Sequence, residues 1–389
     1  MKKLLIITIP SVLASSLLVA ALVEITIRAS WDPRRGRPGF LVSDPVRLEK
    51  LAPNYDGWFA GVPVHTNALG FRDSREYAIE KRPGTFRILV LGDSVTFGHG
   101  SVAEHAYPLL LEQRLKAWKP GVDWQVWNLG VPGYNTSQEL AYLLEVGPAF
   151  RPDLVVVGFF GNDVVDNRPV SAPTRTAVAA STVKTWIKRS LYSFDLYKKA
   201  YLTLRYRLMS SKAERDLLEN LAAQDTLLGK PSEVADLAAQ RLTDPAPIPD
   251  EALAKARCTS SATSTIFPVS LEAMATAHRS PELDAWADAV RQLQKLNRDG
   301  AYRIVFFINN APSPCATEDF FDTRTTKALD EYFLRVLSDG TLAVSSHDAF
   351  AHYRPSQMPQ ATGHSLGNSN VIKARVLFEF LRDRVLPRS

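Results

Sequence analysis

The chain has 389 residues, of which 46% are hydrophobic and 22% charged, and a formal net charge of +5. That balance excludes a disordered or collagen-like protein, and the length allows one large domain or two ordinary ones with a full core. Lysine and arginine are dispersed and do not alternate with aromatics, so nucleic acid is not an expected partner, whereas a membrane surface suits weak basicity.

The first thirty residues speak to the membrane directly. Lys2 and Lys3 precede Leu4–Val23, a run with no charged residue and four serines or threonines. Twenty helical residues span roughly 30 Å, about one bilayer core. A cleaved signal has a shorter apolar region ending in a small-x-small site. The nearest such triplet here, Ala14-Ser15-Ser16, lies inside the run. An uncleaved, single-pass anchor over residues 1–29 is therefore expected. Basic residues flank both ends (Lys2 and Lys3 before; Arg28, Arg34, Arg35 and Arg37 after), so charge counting leaves the topology open.

Residues 30–82 are rich in Pro, Gly and Arg and read as a linker and extension, in which His65–Tyr77 suggests a short strand, a turn and an exit loop. Beyond them a strand–helix rhythm begins. Ile88–Leu91 reads as a first strand, Tyr107–Trp118 as an amphipathic helix, Trp124–Asn128 as a second strand and Ser137–Val146 as a helix. Leu154–Phe160 is an almost continuous β-branched and aromatic run, as expected of a parallel strand covered on both faces. The rhythm breaks over residues 168–280, where Thr182–Met209 is helical, basic and aromatic, Ala213–Arg241 has polar helical periodicity, and Thr243–Pro249 is proline-rich. This segment reads as a helical insertion. The rhythm resumes with a helix at Pro281–Asp299, a strand at Tyr302–Ile308, a helix at Lys327–Leu337, a strand at Leu342–Ser346 and a closing helix at Ser369–Val385. Alternating strands and helices predict a three-layer α/β/α sandwich with a central, mostly parallel sheet spanning residues 83–389.

Four short segments carry candidate chemistry. In Phe86–Gly98, FRILVLGDSVTFG, the first strand stops at Gly92 and presents Ser94 at the sheet end, where open α/β sheets place their reactions. Asn128–Thr136, NLGVPGYNT, follows the second strand, and Gly130 and Gly133 permit backbone conformations that expose N–H groups. Gly161-Asn162-Asp163 follows the third strand, and the Asn162 amide can donate to a developing oxyanion, although an asparagine there also suits a helix cap. His364, in GHSLGNSN, precedes the closing helix. Among the other histidines, His99 and His105 follow the serine closely, with His99 able to touch the pocket, and His347 beside Asp348 is the serious rival. The only cysteines, Cys258 and Cys315, fit one disulfide in an exported protein and equally two unrelated thiols. No cluster has metal-ligand spacing, so neither a metal nor another cofactor is expected.

The order Gly-Asp-Ser, Gly, Asn and C-terminal His resembles the GDSL lipase/esterase family, also called SGNH hydrolases, over Phe86–Asn167 and about Pro281–Val385. The resemblance implies a flavodoxin-like sandwich with Ser94 as nucleophile and His364 as general base. It further implies an oxyanion hole made of the Ser94 and Gly133 N–H groups and the Asn162 side chain. His65–Asp73 and Gly133–Gln138 look like a membrane-associated bacterial branch of that family. The family usually places Asp three residues before His, and here that position is Ala361, between Gln360 and Thr362. Three alternatives follow: a Ser–His dyad oriented by a backbone carbonyl, Asp348 reaching the histidine, or an impaired site. The expected function is a membrane-anchored, extracytoplasmic serine esterase or deacetylase acting on an acylated glycan or lipid-like ester. An O-acyltransferase using the same site, or a catalytically weak envelope scaffold, are the alternatives. Oligomeric state is open.

Overall fold

A computed structural model of the chain describes residues 2–31, 38–60, 62–165, 167, 170, 174–194, 196–198, 200–201, 204, 242–255, 258, 281–358, 360–361 and 364–386. The first helix, α1 (Lys2–Ala29), contains a stretch, Pro10–Ala29, long and apolar enough to cross a membrane. Two antiparallel hairpins follow: β1 (Leu41–Asp44) with β2 (Leu48–Leu51), and β3 (Asp56–Phe59) with β4 (Val62–His65). The strand expected to begin near His65 in fact ends there, and the chain runs on to Tyr77 in turns and bends.

The sheet is built from β5 (Thr85–Gly92), β6 (Asp123–Gly130), β7 (Leu154–Phe159), β8 (Ile304–Ile308) and β11 (Leu342–Ser345), all parallel, in the order β11-β8-β7-β5-β6. Numbered along the sheet alone, this is the 2-1-3-4-5 order of flavodoxin-like folds, with its reversal of direction between β5 and β7. The strands read as continuous apolar runs because both faces are covered. Leu89, Leu91, Val155, Val157 and Phe306 point to one layer, where α4 (Thr136–Phe150), α8 (Pro281–Arg298) and α9 (Arg324–Leu337) supply Leu143, Trp286, Leu293 and Phe333. Their neighbours Ile88, Val90, Val156, Val305 and Phe307 point to the other, where α3 (Tyr107–Trp118) and α11 (Asn368–Phe380) supply Leu111, Leu115, Ala374 and Leu377. This is the predicted three-layer sandwich. The two hairpins pack into the first layer through Phe40, Val42, Val62 and Val64.

Between β7 and α8 the described chain holds α5 (Asn162–Val165), α6 (Arg175–Ser190), further helical residues at 194, 196–198, 200–201 and 204, and α7 (Asp250–Lys255). Helix α6 starts seven residues before the expected Thr182 and stops at Ser190, and Ala213–Arg241 lies outside the described residues. Its inner positions face β1, where Thr185 Oγ1 both accepts from the Ser43 N–H (3.1 Å) and donates to the Ser43 carbonyl (3.3 Å), and Lys188 pairs with Glu49. The two cysteines are joined: Cys258 and Cys315 form a disulfide with Cα atoms 5.7 Å apart. Cys315 adjoins β9 (Ser313–Pro314), which pairs with β10 (Phe321–Asp322), and α10 (His347–Phe350) follows β11. A last small hairpin, β12 (Gln360–Ala361) with β13 (His364–Ser365), leads into α11.

Candidate active site

The crevice at a reversal of strand order is where open α/β sheets bind ligands. Ser94 follows β5 and Asn162 follows β7, the two strands on either side of that reversal. Ser94 opens α2 (Ser94–Phe97), a single turn capped by the Asp93 side chain, which accepts from the Val95 N–H at 2.8 Å, and closed by Gly98 in the left-handed conformation. This turn rests on a shelf of three glycines. Gly92 pairs in register with Gly130 of β6 and Gly158 of β7, so no side chain projects where the three strand ends meet. A Cβ on Gly92 or Gly158 would lie 2.0 or 2.4 Å from Thr96 Oγ1, and one on Gly130 would lie 2.3 Å from the Phe97 backbone nitrogen.

Ser94 is buried, and its Oγ lies 2.7 Å from His364 Nε2. The structure thus brings together two residues 270 positions apart. A hydroxyl in hydrogen-bond contact with an imidazole nitrogen can lose its proton as its oxygen attacks. Asp93, fully buried beneath them, has Oδ2 3.4 Å from Ser94 Oγ and 3.4 Å from Asn162 Nδ2, which brings the Asn162 amide to the same spot. Gly133 is left-handed, with φ +80°, and a Cβ there would meet no atom within 4 Å. It lies in the turn that enters α4 through a reciprocal cap, with Gln138 N donating to Asn135 Oδ1 and Asn135 N to Gln138 Oε1, each at 3.1 Å. Ser137 on that helix bonds Asn167, tying this loop to the one after β7. Gly130 departs from expectation: its N–H is held by Asn128 Oδ1 at 2.9 Å and faces no ligand, and its smallness serves the approach of α2 instead.

Two expectations about acids and bases are corrected. Asp348 does not serve His364: it is exposed, and its Oδ1 lies 3.0 Å from His347 Nδ1. The reason is topological. Asp348 follows β11, the sheet edge, three strand spacings from β5, or about 14 Å. His347, the rival base, is buried there with its Nε2 2.9 Å from Thr326 Oγ1, bracing α10 against α9. Ala361 stands directly across the small hairpin from His364. The carboxyl whose charge bears on His364 is Asp93, raised by burial and partly restored by the Val95 N–H, His364, Asn162 and Lys373. Lys373 on α11 is buried too, and burial lowers it to about 8 against the attraction of Asp93. Glu139, at the start of α4, is wholly buried with neither carboxyl oxygen hydrogen-bonded among the described residues. Burial, and then Asp93, raise it well above the usual carboxylate range. Sequence reading passed over Asp93, Glu139 and Lys373; only the position of Asp93 beside the serine offered a hint.

His99 completes the site. Its ring stacks on His364 with centroids 4.1 Å apart and 16° between planes, and Phe59 meets it edge-on at 5.2 Å. Its backbone N–H donates to the Ser94 carbonyl at 3.0 Å. Both ring nitrogens are buried with no hydrogen-bond partner among the described residues. Burial above all, then the charges of His364 and Arg72, holds His99 well below its ordinary value. Since the unfolded chain protonates this ring near pH 6.5 and the folded chain does not, stability is full above that pH and falls as pH drops, by up to about 1.4 kcal/mol per pH unit. His99→Phe keeps the stack and removes the titration. Its melting temperature should fall less than wild type's between pH 7 and pH 5 in a thermal scan; equal losses would place the acid sensitivity elsewhere.

The flavodoxin-like sandwich thus brings a serine and a histidine into contact at its switch point, and similarity to known proteins makes the chain a hydrolase. Residues 90–301 match the GDSL-like Lipase/Acylhydrolase family, and the chain belongs to that family. Among solved structures it is similar to LAE5, an alpha/beta hydrolase enzyme from the metagenome of Lake Arreo, Spain, at 14% identity over 76% of this chain and 94% of that one, with a TM-score of 0.37. It is likewise similar to Axe2, an acetylxylan esterase from Geobacillus stearothermophilus, at 14% identity over 78% and 97%, with a TM-score of 0.37. No curated protein matches the sequence.

Proposed function

We propose that this hydrolase is a serine esterase of the family's membrane-associated bacterial branch, removing acyl groups, chiefly O-acetyl, from a glycan or lipid-like substrate through an acyl-Ser94 intermediate. The observation that carries the reading is the 2.7 Å contact between Ser94 Oγ and His364 Nε2. In the first half-reaction Ser94 Oγ bonds to the ester carbonyl carbon while His364 Nε2 takes its proton. The oxyanion is held by the Ser94 and Gly133 N–H groups and the Asn162 amide, where losing one such donor typically costs about 2.7–4 kcal/mol of barrier. Collapse breaks the ester bond, and the leaving alcohol takes the proton from His364. Water then repeats the sequence on the acyl-serine, releasing the acid. With Ala361 at the usual carboxylate position, Asp93 is the carboxyl set electrostatically against His364, and the His99 ring stacked on the histidine's face fixes its plane. Such partners usually tune the rate and are not indispensable.

We further propose that residues 1–29 anchor the chain, that 30–82 form an extension, and that 83–389 form the catalytic domain, interrupted at 168–280. The Cys258–Cys315 disulfide supports placing this domain outside the cytoplasm, since such bonds persist in oxidising compartments. The absence of a carboxylate at Ala361 favours a second reading, a catalytically weak envelope scaffold. A fluorophosphonate probe separates the two. In the detergent-solubilised full chain it should label one peptide, with the adduct on Ser94 by mass spectrometry. Protein that melts cooperatively yet takes no label would overturn the esterase reading.

A further inference from the structure

We propose that the outer face of α6, with the helical residues that follow it, lies on the bilayer surface and seats the hydrolase against anionic lipid headgroups. The proposal rests on reading α1 as an uncleaved anchor. Four observations lead to it.

First, the end of the apolar helix is clasped to this part of the chain. Glu24, the first charged residue after the uncharged run Leu4–Val23 and in the last part of the Pro10–Ala29 stretch, accepts the Tyr192 N–H at 3.1 Å, and the Ser193 N–H and hydroxyl at 2.9 and 2.6 Å. One turn further on, Arg28 donates to the Ser190 carbonyl and lies over the Tyr192 ring, which also meets Trp31 edge-on. The point where α1 leaves the bilayer is therefore the C-terminal end of α6. Second, α6 is two-sided in an unusual way. Its inner stripe, Ser181, Thr185 and Lys188, faces the body of the protein, yet its outer face is also apolar: Val183 is 58% and Trp186 67% exposed. Past the clasp, Tyr197, Tyr201 and Leu204 continue the pattern, the last two at 61% and 60%. A surface helix with a free outer face is ordinarily polar there. Third, the charge is one-sided. Residues 174–206 carry seven lysines and arginines against a single acid, Asp195, and Lys184, Arg189 and Lys198 are exposed. Basic residues beside exposed tryptophan and tyrosine are the composition of a membrane–water interface, where the rings sit at headgroup level and the cations meet anionic lipid.

Fourth, a line of contacts joins this face to the reactive pair. Helix α6 packs on β1 through Thr185 and Ser43. Phe40, just before β1, packs on Phe59 at 4.5 Å and on Phe97 of α2 at 5.6 Å, and Phe59 meets His99, which lies on His364. Among the described residues this line runs from α6 through the hairpin layer to the Ser94–His364 contact. An ester presented at the membrane surface, on a lipid or on a glycan held close to one, is the substrate class this seating serves.

The test uses the full chain reconstituted into phosphatidylcholine–phosphatidylglycerol vesicles, alongside a Trp186→Phe variant. Lipids brominated on their upper acyl carbons quench indoles within contact range, so wild type should lose visibly more fluorescence than the variant. A Trp186→Glu/Tyr201→Glu variant should hydrolyse a water-soluble aryl acetate within twofold of wild type, but a vesicle-borne ester about tenfold more slowly. Equal bromolipid quenching of wild type and variant would overturn the proposal, as would Trp186 shielded from both bromolipid and aqueous iodide, which would mean a protein covers this face. Flotation after alkaline carbonate treatment tells that failure from the other. A chain that floats but fails the quenching test is anchored with α6 turned away; one that does not float fails as an anchored protein, and the proposal falls with it.

Discussion

Ser94→Ala is expected to reduce kcat toward an aryl acetate by a thousandfold or more, on the order of what a Ser–His pair contributes, and His364→Ala should cost about as much. The decisive quantity is the double variant. Two groups that act as a unit, one donating the proton that the other receives, lose nearly everything when either is removed, so the second substitution adds little. The 2.7 Å contact makes this a single unit in the folded chain. What activity is left in each variant would come from oxyanion donors alone. If His364→Ala kept activity within tenfold of wild type, the base would lie elsewhere, and the next ring is His99, stacked on it at 4.1 Å. Steady-state kinetics of the four proteins, each checked for an unchanged melting temperature, settles the assignment.

The second large effect is expected far from any reacting atom by sequence, at Gly130. Its Cβ would lie 2.3 Å from the Phe97 nitrogen and 2.7 Å from the Thr96 carbonyl carbon, both backbone atoms of the turn that carries Ser94. No rotamer change relieves that contact, so α2 must move. Overpacking by one methyl in a tight interior costs about 1–3 kcal/mol of stability, and a displacement of about 1 Å in a reacting group costs on the order of a hundredfold in rate. Gly130→Ala should therefore lower both melting temperature and kcat, whereas KM should change less. Gly121→Ala is the matched control, since a Cβ there meets nothing within 4 Å. If Gly130→Ala kept full kcat, the glycine shelf would not be what positions the serine.

How much of this was legible in the sequence follows from how local each feature is. The five sheet strands, and the helices covering them, announce themselves as apolar runs and amphipathic periods, and each stands within a few residues of its expected place. The strand–glycine–serine junction is local too. The order of strands is not: nothing near Leu342 says that β11 takes the far edge, and that placement is why Asp348 serves His347. The three-glycine shelf shows the same limit. Gly92, Gly130 and Gly158 are separate in sequence and acquire a common purpose only when β5, β6 and β7 align in register. His99 was within reach as a residue near the serine, but its stacking on His364 depends on the closing segment returning across the sheet. Glu139 reads in sequence as an ordinary charged residue in a helix's first turn, and its burial beside Asp93 is a property of the assembled sheet ends.

The separation of Ser94 from its histidine by 270 positions also has a meaning in time. Synthesis runs through the two hairpins to Ser94 long before it reaches the ring that touches it. Just after His364 comes α11, whose Ile372, Ala374 and Leu377 are fully buried. On the proposed mechanism, a chain halted before His364 carries the serine without its proton acceptor. On that mechanism acyl chemistry is withheld until His364 has been made and has folded back across the sheet onto Ser94.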